Sequence, residues 1–102
     1  MTQKHFVLFY EYAPDIMERR AAFRAEHLGL ANDAVARGEL VLGGAFTDVS
    51  AGGMMIFKGE DEGVVKRFVD ADPYVKNGLV TGWRVQEWTT VVGEGALTQV
   101  KL

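Results

Sequence analysis

The apolar residues of this chain switch repeatedly between the two-residue spacing of a strand and the three- to four-residue spacing of a helix, and that alternation restricts the fold most. Helices must pack on a sheet. From Lys4 to Tyr12, the residues Phe6, Val7, Leu8, Phe9, Tyr10 and Tyr12 form a strand that is apolar on both faces, so both faces require cover. Pro14 blocks its continuation, and Asp15 with Glu18 has capping-box spacing for a helix over about 15–37. Phe23, His27, Leu30, Ala31, Ala34 and Val35 share one stripe of that helix, which turns His27 inward. Gly38 supplies the stop.

Leu40, Val41, Leu42, Ala45 and Phe46 read as a second strand in which Gly43-Gly44 marks a bulge or the close approach of another group. Turn residues from Thr47 to Gly53 lead back through Met54, Met55, Ile56 and Phe57 as its hairpin partner. Glu60 to Asp70 carries Val64, Val65, Phe68 and Val69 at helical spacing beneath an acidic first turn. Asp72-Pro73 opens a short helical turn closed by Gly78, and Trp83 to Val92 is a last strand whose imperfect alternation implies a bulge. This order predicts an α+β fold, ferredoxin-like βαββαβ, with an antiparallel sheet and both helices on one face. The other apolar face is left bare, so a homodimer packed sheet against sheet is expected.

With 102 residues, 48% hydrophobic and 25% charged, the chain has globular composition and the length of a single domain, 1–102, with a core over about 4–93 and a tail at 94–102. A formal net charge of -3 argues against nucleic acid as a partner. The absence of cysteine removes disulfides, thiolate metal sites and a cysteine nucleophile. No run approaches the roughly 18 apolar residues of a membrane span, and the N-terminus has no cleavage-site pattern, so no membrane and a cytoplasmic location are expected.

Several segments together resemble the YciI-like (YCII-related) proteins: Arg24-Ala25-Glu26-His27-Leu28, Gly38-Glu39-Leu40 followed by Gly43-Gly44, Asp70-Ala71-Asp72-Pro73-Tyr74-Val75, and Gly78-Leu79-Val80 before a Trp-containing strand. The most specific are the Arg-x-x-His-Leu helix and the Asp-x-Asp-Pro-Tyr-Val segment. The resemblance implies a dimeric α+β barrel, two ferredoxin-like units with small-molecule pockets between sheet and helices. It also implies a His–Asp pair, which falls on His27 and Asp72. Some relatives perform elimination or related proton-transfer chemistry on small, often aromatic, molecules without a cofactor.

The residues support that chemistry on their own terms. Histidine, with an unperturbed pKa of about 6.5, can take and give a proton at neutral pH. A carboxylate on one ring nitrogen would fix the tautomer and favour protonation of the other. Asp72 is the favoured partner for His27, with Asp70 two residues away as the competitor; Asp72 is also what the N-cap of a helix starting at Pro73 requires. Arg24, three residues before His27, is placed to clamp a carboxylate or enolate oxygen. Tyr10 and Tyr74 are candidate hydroxyl donors, and Gly43 with Gly44 could let a ligand approach the backbone.

His5 and His27 lie on different elements with no metal-ligand spacing, so no metal is expected. The glycine pairs lack the lysine of a phosphate-binding loop and the dinucleotide fingerprint. No serine stands in a nucleophile elbow. The expectation is therefore a small enzyme, a lyase or isomerase working by cofactor-independent acid/base chemistry on an anionic or aromatic molecule. The alternatives are a non-catalytic ligand-binding or accessory dimer, or a purely structural dimer in which His27 is a satisfied core group.

Overall fold

The computed structural model describes residues 2–99, so the far end of the expected tail, residues 100–102, lies outside the described residues. Four strands, β1 (Lys4–Tyr12), β2 (Leu40–Ala45), β3 (Gly53–Gly59) and β4 (Val80–Trp88), form one antiparallel sheet in the order β2-β3-β1-β4. The helices are α1 (Ile16–Arg19), α2 (Arg24–Ala36), α3 (Gly63–Ala71) and α4 (Pro73–Lys76). This is the ferredoxin-like α+β arrangement that the sequence predicts.

Successive residues of a strand face opposite sides, so Phe6, Leu8 and Tyr10 of β1 point one way while His5, Val7 and Phe9 point the other. The first set joins Phe57 of β3 and Val65 and Phe68 of α3 in the buried core. The second set lies on the face away from that core, beside Ile56 and Met54 of β3 and Gln86 and Arg84 of β4 in the same register. Apolar groups remain uncovered there, Leu42 being 69% exposed and Trp88 47%. The Arg84 guanidinium sits 4.0 Å from the Phe9 ring centre, a cation–π contact over apolar surface.

Several local expectations are corrected. The helix expected over 15–37 is interrupted: α1 ends at Arg19, a 3-10 turn covers Arg20–Ala22, and α2 begins at Arg24. Two tertiary anchors accompany the break, since Ile16 is buried and Arg19 donates to the Asn77 carbonyl at 2.7 Å, tying the first turn to the end of α4. Asp15 makes no capping bond; its carboxylate lies 3.8 Å from Arg19 instead. Val35 is exposed, because the inward side of α2 is carried by Leu30, Ala31 and the buried Ala34.

In β2 the register shift falls between Leu40 and Leu42, before the glycine pair. Gly43 serves close approach instead: a Cβ there would lie 2.7 Å from Met55 Cγ on β3. The last strand starts at Val80 and ends at Trp88, so Val91 and Val92 fall outside it, and the bulge is at its start, opposite Glu11 and Tyr12. The acidic residues expected in the first turn of the second long helix precede it, and Asp61 accepts from the Gly63 amide at 2.8 Å.

Candidate active site

Asp72 stands where α3 ends and α4 begins. Pro73 favours extended backbone in the residue before it, and Asp72 adopts φ -72° and ψ 119°, which releases its side chain from both helices. Its Oδ1 accepts from the Tyr74 amide at 3.0 Å, the N-cap bond expected from the sequence. The same oxygen is 2.8 Å from His27 Nδ1, and Oδ2 accepts from the Tyr10 hydroxyl at 2.7 Å. A carboxylate that is 0% exposed is thus satisfied from three elements, β1, α2 and α4.

The imidazole is held in its plane as well as at its nitrogen. Tyr74 stacks on it with ring centres 3.9 Å apart and planes 4° apart, and Phe68 of α3 meets it edge-on at 6.4 Å. With Nδ1–H donating to the carboxylate, Nε2 keeps its lone pair and makes no hydrogen bond to any described residue. The His27 side chain is 13% exposed, and the exposed part lines a cavity of about 330 Å³ between α2 and β2.

This cavity is amphipathic. Ile16, Leu40 and Met55 supply apolar wall, while Tyr12, Arg20 and Arg24 supply donors. Arg24, Gly43 and Gly44 line it. Tyr10 and Tyr74 do not: Tyr10 is committed to Asp72 and Tyr74 to the imidazole face. Asp70 makes no hydrogen bond to His27, because a helical residue two positions before Asp72 projects from another side of α3. Sequence reasoning passed over Tyr12 and Arg20. Tyr12 is two residues from Tyr10 and so shares its sheet face, a signal present in the sequence; Arg20 enters only because the helix breaks beside it.

Burial raises the phenols of all three tyrosines. For Tyr10 the rise is large and is reinforced by the Asp72 carboxylate, so this group stays a proton donor. Tyr12 is raised by burial and by Tyr74 and Asp72, against the opposing positive charges of Arg20 and Arg24. Tyr74 is raised by burial, with Arg24 and Arg20 again opposing. Among the described residues no group of three or more His, Asp or Glu is placed to hold a metal, and no helix is long and apolar enough to cross a membrane.

An inward histidine bound to a buried aspartate, between the helices and sheet of a ferredoxin-like unit, defines a small α+β domain with an acid/base pair at the wall of a pocket. The sequence matches the YCII-related domain over residues 5–89, and the chain belongs to that family. Among solved structures it is similar to 5-chloro-2-hydroxyhydroquinone dehydrochlorinase (TftG) from Burkholderia phenoliruptrix AC1100, in complex with 2,5-dihydroxybenzoquinone. That likeness has 26% identity and a TM-score of 0.71, covering 84% of this chain and 94% of that one. Rv0793 from Mycobacterium tuberculosis is similar at 13% identity and a TM-score of 0.53, covering 92% and 100%. A conserved protein from Methanosarcina mazei Go1 is similar at 14% and 0.54, covering 86% and 92%. The last two show the fold alone. No curated protein matches the sequence.

Proposed function

We propose that this protein is an enzyme that moves a proton on a small anionic molecule, with His27 as the acid/base group, Asp72 as its orienting carboxylate and Arg24 holding an oxygen of the substrate. The observation that carries the reading is the 2.8 Å contact between His27 Nδ1 and the wholly buried Asp72. Nε2 takes a proton from an acidic C–H or O–H of the bound molecule, and the electron pair left behind moves onto a substrate oxygen facing Arg24. The imidazolium so formed lies against the Asp72 carboxylate and completes the cycle in one of two ways. It returns the proton to a different atom, giving isomerisation, or releases it after a leaving group departs with its bonding electrons, giving elimination. The likeness to a dehydrochlorinase supports elimination from a small ring bearing acidic hydroxyls.

The uncovered sheet face supports a second part of the reading. Phe9, Ile56, Leu42 and Trp88 are the apolar groups a second copy would cover, giving a homodimer with the pockets on the outer, helical sides. The experiment for the site is a screen of halogenated and hydroxylated monocyclic acids and phenols with the wild type and with His27→Ala. Turnover lost in the variant, with folding retained, supports the assignment. Retained turnover removes His27 from the chemistry, and binding without product by the wild type leaves a ligand-binding module.

A further inference from the structure

The donors Tyr12, Arg20 and Arg24 of the cavity have one feature in common: none is paired with a carboxylate among the described residues, Arg24 reaching only the Tyr74 hydroxyl. Neither Arg20 nor Arg24 forms an ion pair with a carboxylate among the described residues, although Arg19 and Arg37 nearby both do. The Tyr12 hydroxyl makes no hydrogen bond to any described residue. Its position is nonetheless built. The hydroxyl occupies the space where a Cβ of Gly53 would stand, so the missing side chain at the start of β3 seats the phenol at the cavity wall. Burial keeps that phenol protonated and able to donate.

We propose that Tyr12, Arg20 and Arg24 form the anion-recognition end of the pocket, in which the two guanidiniums select an oxyanion and the Tyr12 hydroxyl donates to it, across an apolar floor that takes a single ring. This deepens the proposed function and rests on it for the chemistry, but the binding claim stands on the three donors alone. The ligand class is a monocyclic carboxylate or phenolate. Two unpaired cations beside one buried carboxylate leave the site short of negative charge, and a neutral isostere would strand those donors. Ile16, Leu40 and Met55 provide the apolar contact that a small hydrophilic anion such as phosphate would not use.

The probe is benzoate, with benzamide as its neutral counterpart, measured by calorimetric titration at mildly alkaline pH. Wild type is expected to bind benzoate and to discriminate against benzamide. Arg20→Gln and Arg24→Gln should each weaken benzoate about tenfold, the loss expected of one charge-assisted hydrogen bond. Tyr12→Phe, which keeps the ring, should weaken it several-fold, and Gly53→Ala should do the same by displacing the hydroxyl. Equal affinity for benzoate and benzamide, or undiminished benzoate affinity in both Tyr12→Phe and Arg20→Gln, overturns the proposal even if His27→Ala abolishes turnover. Conversely, an anion end that depends on these residues survives if His27→Ala proves fully active.

Discussion

Tyr74 lies flat on His27, with 3.9 Å between ring centres and 4° between planes. Asp72 controls both partners of that stack, since one of its oxygens binds the imidazole at Nδ1 and also caps the backbone that carries Tyr74. The plane of the ring and the direction of its free nitrogen are therefore set by a single carboxylate. Replacing Tyr74 by leucine keeps apolar cover but loses the flat contact. The ring should gain freedom and kcat should fall by about tenfold with little change in KM, because orientation and not binding is lost. Steady-state kinetics on the substrate found by the screen measures this.

Tyr10→Phe removes the donor to Asp72 Oδ2 and leaves that oxygen buried without a partner. The expected cost is about 1–3 kcal/mol of folding stability, read from urea unfolding. A weakened but measurable activity should accompany it, since Oδ1 still holds the imidazole.

Asp72→Ala should be more damaging than Asp72→Asn. Alanine removes the cap, at about 1 kcal/mol, and leaves the Tyr10 hydroxyl and His27 N–H unpaired in the interior. Asparagine keeps the volume and one acceptor but not the charge. Turnover should be lost in both variants, while unfolding by denaturant separates them.

The second histidine gives a pH signature unrelated to the pocket. His5 Nδ1 is 2.7 Å from Thr90 Oγ1, and burial, followed by the nearby Lys58 charge, lowers its pKa from 6.5. The unfolded chain therefore takes up the proton first as pH falls, so His5 contributes stability above pH 6.5 that is progressively lost below it. His5→Asn should flatten this part of the stability profile relative to wild type, measured as the urea midpoint across that window.

On the bare face of the sheet, Phe9→Asp places a charge where a second copy is proposed to sit. Sedimentation should show the wild type as a dimer and the variant as a monomer, with the helical face and its pocket intact by circular dichroism. A monomeric wild type would remove the dimer proposal.

Much of the fold is legible because it follows from period and punctuation: the βαββαβ order, the Asp72 cap and the Gly38 stop are local signals that tertiary packing leaves in force. The break at Arg20–Ala22 is not legible, since no proline or glycine marks it and its anchors, Ile16 in the core and Arg19 on Asn77, are tertiary. That break is why Arg20 escaped notice. The juxtaposition of His27 and Asp72 came from the family pattern and not from spacing, as 45 residues separate them. The sequence marks Tyr10 as a hydroxyl near the site but cannot say what that hydroxyl binds. Only the packing of β1 against the junction of α3 and α4 makes it a support for Asp72 and leaves Tyr12 as the phenol in the cavity.

Because the aspartate that aims the imidazole also begins a helix, two selective pressures converge on one codon. A descendant that abandoned chemistry would still lose a helix cap by discarding Asp72, whereas His27 caps no element and is kept only by its bond to that carboxylate and its stack on Tyr74. In comparing relatives of this chain, an aspartate at this point thus reports little about activity, and the fate of the histidine is the more telling character.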